Sequence, residues 1–149
     1  MTTYRAGVRA GALLTVAACC LAMSGCGGKS NLPPIVKVQG KVTLQGQPVT
    51  CGSIEFCPDR NKGNDGPMAF GSIGPDGTYT VTTQDGKGGT LKGAVKGFHR
   101  VCIKPAPPRP GSNVTPVKIP AKYTRMETSD LTVELKEGDD SPKDFDLKP

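Results

Sequence analysis

Tryptophan is absent from this chain, histidine occurs once, and the aromatic total is small, with 3 Tyr and 4 Phe. A single histidine, His99, excludes any metal site or acid–base pair built from two imidazoles. So few aromatic rings leave little material for a carbohydrate platform. No apolar stretch approaches the roughly 20 residues that span a bilayer. The apolar segment near the N-terminus, Ala10 to Ala22, is thirteen residues without a charge. Basic residues are never blocked together: no two Lys or Arg are adjacent, so no clustered nucleic-acid footprint is expected. Nothing in the composition calls for a cofactor or a metal.

What is abundant is glycine and proline, 20 and 14 of 149 residues. That content disfavours long helices and suits short strands joined by turns. The N-terminus divides as a secretory leader does: Met1 to Arg9 carries Arg5 and Arg9 without an acid, and the uncharged run follows. It closes on Leu21-Ala22-Met23-Ser24-Gly25-Cys26. The small pair before Cys26 resembles the lipobox of bacterial lipoproteins, with Met23 in place of the usual leucine. Val16-Ala17-Ala18-Cys19 is a second such box, but it leaves an apolar core of only about seven residues. The resemblance implies cleavage before Cys26, a diacylglycerol thioether on its sulfur and a further acyl chain, such as palmitate, on its amine. One chain anchors marginally and two hold firmly, at about 0.8 kcal/mol per buried methylene. The membrane lipid is thus the first expected partner. Gly27 stands where an Asp would mark inner-membrane retention in some bacteria, which points to the outer membrane, facing periplasm or cell surface.

The expected organisation is a leader over 1–25, a tether over 26–34 and one domain over 35–149. Removing 25 residues from 149 leaves 124, enough for a single core. Loss of Arg5 and Arg9 lowers the formal charge from +6 to +4, since all 13 acids remain. Within the domain, Val36, Val38, Gly40, Val42 and Leu44 share one face of a half-buried strand. Gln45-Gly46-Gln47-Pro48 is a turn, and Val49 to Cys57 is a second strand with Ile54 and Phe56 inward. Further strands are expected at Met68–Ile73, Tyr79–Thr83, Phe98–Lys104, Leu131–Leu135 and Phe145–Leu147. Gly74-Pro75-Asp76-Gly77 is a turn, and Gln84 to Gly97, with its five glycines, reads as a mobile connection. Seven short strands predict a single all-β, Greek-key β-sandwich.

Val38-Gln39-Gly40-Lys41-Val42-Thr43-Leu44, Gly46-Gln47-Pro48-Val49 and Ile54-Glu55-Phe56 resemble the opening of carboxypeptidase-regulatory-like, or transthyretin-like, domains. Gly74-Pro75-Asp76-Gly77-Thr78-Tyr79 and Gly97-Phe98-His99-Arg100-Val101 are similar to the family's later turn and strand. Ile119-Pro120-Ala121-Lys122-Tyr123, Ser129-Asp130-Leu131-Thr132-Val133 and Phe145-Asp146-Leu147 resemble the closing part of small lipoproteins that carry such a domain. The resemblance implies an immunoglobulin-like prealbumin sandwich and no single shared activity. The function expected is a lipid-anchored, non-catalytic binding, adhesion or structural module meeting an envelope protein or glycan. The alternatives are a transthyretin-like hydrolase or a carbohydrate-binding module. One hydrolytic branch of the family uses several histidines and a Tyr-Arg-Gly-Ser ending, whereas this chain has one histidine and ends Asp146-Leu147-Lys148-Pro149.

Candidate chemistry is sparse. Cys19 and Cys20 leave with the leader and Cys26 goes to lipid, so Cys51, Cys57 and Cys102 remain. His99 and Cys102, three apart, fall on opposite faces of a strand, against a Cys–His nucleophile pair. Cys51 and Cys57 lie about 20 Å apart along one extended strand, against a shared tetrahedral metal site with His99 and Cys102. A disulfide between Cys57 and Cys102 and isolated thiols both stay open. Asp85-Gly86-Lys87-Gly88-Gly89-Thr90 lacks the phosphate-loop spacing, and the Asp59–Gly66 loop lacks the ligand pattern of a calcium loop. Pro105 to Pro110 reads as an exposed connection, and Asn113-Val114-Thr115 is discounted as a glycosylation site because Pro116 follows. Intact-mass measurement of the membrane fraction should find Cys26 at the N-terminus and acylated. Cys26→Ser should leave an unprocessed or soluble chain; a bare, soluble wild-type protein would end the lipid assignment.

Overall fold

The computed structural model describes residues 32–106 and 117–149. Alternating apolar residues and Gly/Pro turns give twelve strand segments: β1 (Ile35–Val36), β2 (Gln39–Leu44), β3 (Gln47–Pro48), β4 (Gly52–Pro58), β5 (Ala69–Ile73), β6 (Thr78–Thr80), β7 (Thr82–Gln84), β8 (Thr90–Lys92), β9 (Ala94–Val95), β10 (Gly97–Lys104), β11 (Thr132–Leu135) and β12 (Phe145–Leu147). Two 3-10 turns, Arg60–Lys62 and Ala121–Thr124, complete the described elements. No described helix is long and apolar enough to cross a membrane.

The main path runs β11-β10-β4-β5-β6-β2-β12, seven strands near the seven expected positions, but the strand expected over Val36–Leu44 is divided into β1 and β2 and that over Tyr79–Thr83 into β6 and β7. β4, β5 and β6 form an antiparallel meander, and β2 lies beside β6 rather than beside β4, which is a Greek-key order. β5 and β6 share one register pair, Ile73↔Tyr79, and there the sheet folds over. Phe56 of β4 consequently faces Tyr79 of β6 at 6.0 Å and Phe145 of β12 at 6.2 Å between ring centroids. This aromatic trio sits in a core of Val38, Val42, Val49, Ile54, Val81, Val101, Ile103 and Leu147. The fold is an all-β sandwich.

Local turn chemistry explains the hairpins. Gln45 and Gly46 both take positive φ, 52° and 78°, the geometry of a two-residue turn whose twist matches its strands. Asp146 accepts from the Gly46 amide at 2.9 Å and from Thr43 Oγ1 at 2.8 Å, tying that turn to β12. Asp76 accepts from both the amide and the hydroxyl of Thr78, closing the Gly74–Gly77 turn. Gly40 has no side chain because the Lys143 carbonyl lies 2.2 Å from where a Cβ would stand. Tyr79 Oη donates to that same carbonyl.

The region expected to be a mobile connection is instead ordered strand. β7 and β8 form a hairpin with Thr83↔Leu91 paired, and β9 pairs β1 through Ile35↔Val95. Ala94 and Val95 are fully buried. Glycine density hid this, because several of the glycines serve conformation rather than mobility. Gly93 takes φ +119°, and a Cβ there would meet the Val36 carbonyl oxygen at 2.1 Å. Gly86 takes φ +73° with nothing within 4 Å. Gly93→Ala should therefore lower stability by about 1–3 kcal/mol or more, and Gly86→Ala by less. Paired denaturant titrations check this; equal losses at both positions would contradict the close approach.

Candidate functional site

β4 and β10 share the longest ladder, with Ile54↔Ile103, Glu55↔Cys102, Phe56↔Val101 and Cys57↔Arg100 in register. The two-residue period sends Ile54, Phe56, His99, Val101 and Ile103 inward. Glu55, Cys57, Arg100, Cys102 and Lys104 fall on the other face. That face should be wet, yet Cys57 and Cys102 are 1% and 0% exposed. Residues 121–130 cover it as a strap. Lys104 Nζ donates to the Thr124 carbonyl at 2.7 Å, Arg100 Nη1 to the Met126 carbonyl at 3.1 Å, and Ser129 Oγ to the Val101 carbonyl. Sequence alternation thus gives the correct direction for both cysteines, and the strap supplies the burial.

Cys57 and Cys102 occupy diagonal positions, since Cys57 opposes Arg100 and Cys102 opposes Glu55. Diagonal neighbours have Cα atoms about 7–8 Å apart, at or beyond the upper end of disulfide geometry. Both are thiols in the structure, as is the half-buried Cys51. The two sulfurs and a Glu55 carboxylate oxygen all lie within 4.8 Å of one another. Glu55 also pairs with Lys104 at 3.8 Å. Burial, with Cys102 and Glu55 adding to it, pushes the Cys57 thiol up to about 12. Burial also raises the Cys102 thiol, against the pull of the Lys104 ammonium. Neither sulfur is a thiolate nucleophile at neutral pH.

A recess of about 390 Å³ opens beside this pair, with Cys57 at its floor. Met68 and Met126 stand in its walls, and Asp59, Arg60, Arg100 and Glu127 give it charges of both signs. The Asp59–Gly66 loop forms one rim. Asp59 caps the Arg60–Lys62 turn through the Asn61 amide at 3.1 Å, and buried Asn64 donates Nδ2 to the Phe98 carbonyl at 3.0 Å. Asp59 Oδ1 and Asn64 Oδ1 thus accept from the Asn61 and Gly66 amides of the loop itself. Asp85 likewise accepts from the Lys87 and Gly89 amides, each at 2.8 Å, so those amides are not presented to a phosphate.

His99 lies on the face of β10 opposite Cys102 and is 1% exposed. Its ring meets Phe56 edge-on at 6.1 Å, and Nδ1 stands 3.0 Å from the Gly97 carbonyl oxygen, which fixes Nδ1 as the protonated nitrogen. Nε2 has no hydrogen-bond partner among the described residues. Burial holds the imidazole's pKa below its ordinary 6.5.

Glu55, Met68 and Met126 were not singled out by sequence reasoning. Glu55 had a signal, because it stands two residues from Cys57 and so shares its face. The methionines had none, since loop and strap place them. Cys26, the leader, the proline run beyond Ala106 and the Asn113–Thr115 sequence lie outside the described residues. No protein-family model, curated protein or solved structure matches this chain.

The depressed His99 pKa has a definite sign. The unfolded chain takes up the proton first, so stability is fully present above about pH 6.5 and falls as pH drops below it toward the folded value. Denaturant midpoints taken between about pH 5 and about pH 8 should show this loss in the wild type and a shallower one in His99→Phe. Parallel profiles would show that His99 is not the titrating group.

Proposed function

We propose that the chain is a lipid-anchored protein of the bacterial cell envelope, held in the outer membrane through Cys26. Its sandwich is of the carboxypeptidase-regulatory-like, transthyretin-like type and binds an envelope protein or glycan without turnover. The observation that carries the non-catalytic reading is the condition of the groups able to do chemistry. His99 is walled into the core with Nε2 facing no polar partner among the described residues, and the Cys57 thiol is pushed up to about 12. Neither serves as base or nucleophile at neutral pH.

What the outer face offers is a recess whose rim mixes Arg60, Arg100, Asp59 and Glu127 with the apolar Met68 and Met126. Such a mixture suits a polar partner with an apolar contact at its centre. β1 begins at Ile35, nine positions after Cys26, a reach of at most about 30 Å. The recess therefore works close to the lipid surface. Among the described residues Phe70 is the one large hydrophobic side chain that is exposed, at 42%, which gives a sugar ring little to stack on.

Met68→Trp, which fills the recess, should abolish cross-linking of the anchored protein to its envelope partner in intact cells. Lys136→Ala, on an exposed site beyond β11, should leave it unchanged. Capture that survives Met68→Trp, or turnover of a ureide by the purified protein, would overturn the reading.

A further inference from the structure

Two cysteines on adjacent strands are covered by the same strap, and their sulfurs lie within 4.8 Å of each other and of a Glu55 oxygen. Metal–sulfur bonds of about 2.3 Å let one ion bridge sulfurs up to about 4.6 Å apart. The diagonal placement that is long for a disulfide therefore suits an ion between the sulfurs. The donor set decides which ion. Thiolate and thioether sulfur select soft cations, whereas zinc sites draw on thiolate, imidazole and carboxylate. Here the Glu55 carboxylate is already paired with Lys104 at 3.8 Å, the recess that opens on Cys57 is walled by Met68 and Met126, and the single imidazole lies on the opposite face of β10. Charge agrees. Two thiolates and one monovalent ion leave a single negative charge, and Arg100 and Lys104 stand on the same face, Lys104 already paired with Glu55 at 3.8 Å.

We propose that Cys57 and Cys102 form a soft-metal site that takes Cu(I), with Met68 and Met126 lining its approach. Two S–H bonds give way to two Cu–S bonds, and both protons leave to solvent. No electron moves, because copper enters already reduced. Glu55 is a positioning residue that holds Lys104 beside the sulfurs. Lys104 and Arg100 fasten the strap through the Thr124 and Met126 carbonyls, and the covered face keeps bulk water from the ion. This site shares its mouth, at Met68 and Met126, with the recess proposed for partner binding, but it rests on the buried sulfurs and not on the rim charges.

The test uses the mature, detergent-solubilised protein, reduced and kept anaerobic, titrated with Cu(I) against a chromophoric Cu(I) chelator. One copper per chain is expected, and X-ray absorption at the copper edge of the wild-type protein should show sulfur-only ligation. Cys57→Ser and Cys102→Ser should each weaken binding by more than the roughly 10- to 100-fold that loss of an outer-shell partner costs. Cys51→Ser should leave it unchanged. Because a core serine can impair folding, the absorption measurement on unmutated protein decides independently. Failure to bind Cu(I), nitrogen or oxygen ligands at the copper, zinc held in preference to copper, or a Cys57–Cys102 disulfide that resists reduction in the folded protein would each overturn the proposal. Partner capture that persists in Cys57→Ser separates this site from the recess itself.

Discussion

The antiparallel register of β4 on β10 governs both surfaces of this protein. Phe56 opposite Val101 and Ile54 opposite Ile103 place the core's largest side chains on one face, and the same period places Glu55, Cys57 and Cys102 on the other. A slip of one residue in β4 would drive Glu55 toward the aromatic core and expose Phe56. Burying an unpaired charge costs several kcal/mol, and losing a buried Phe costs about 3–5 kcal/mol. The two penalties act together against the same error. Core and outer-face cluster are therefore specified by one constraint.

The strap changes what that outer face is. Most sandwiches leave such a face to water, and its side chains then keep their solution properties. Here Arg100 and Lys104 reach up to carbonyls of residues 124–126, satisfying backbone that otherwise lacks a ladder partner. Ser129 does the same from the other side by donating to Val101. Charge-assisted bonds of this kind contribute about 1.5–3 kcal/mol each, enough to hold a segment with little regular structure. The consequence for Cys57 and Cys102 is desolvation, which keeps them protonated at neutral pH.

Legibility in the sequence followed the range of the interactions. Strands showed wherever a period of two ran for five residues or more, as in Gln39 to Leu44 and Phe98 to Lys104, although the same period hid the break between β1 and β2. Turns showed wherever Gly, Pro and Asp met, as at Gly74–Gly77. The direction of Cys57 and Cys102 was readable from the same alternation, and so was the separation of His99 from Cys102. β8 and β9 were not, because Gly86, Gly88, Gly89, Gly93 and Gly97 read as slack when several are left-handed or crowded positions required by ordered chain. The strap was equally hidden. Its fastenings are carbonyl acceptors for distant side chains, and no local pattern in residues 121–130 announces them. Its consequence, burial of an outward face, was hidden with it.

His99 shows where packing outweighs hydrogen bonding in this core. Leaving a buried nitrogen unpaired costs about 1–3 kcal/mol, and the ring accepts that cost at Nε2 while Nδ1 holds the Gly97 carbonyl. Gly97 has φ +117°, outside the range side chains favour, and Asn64 stands 3.0 Å from where its Cβ would be. The imidazole thus braces the bend where β10 begins, with Asn64 holding the next carbonyl, that of Phe98. Phe56 closes over the ring edge, an arrangement that contributes about 0.5–1.5 kcal/mol beyond burial between aromatic rings. A residue whose chemistry would suit an active site is here held as a shaped, neutral ring. The same strand that commits it to the core carries Cys102 outward beneath the strap, so β10 divides structure from reactivity by nothing more than the pleat.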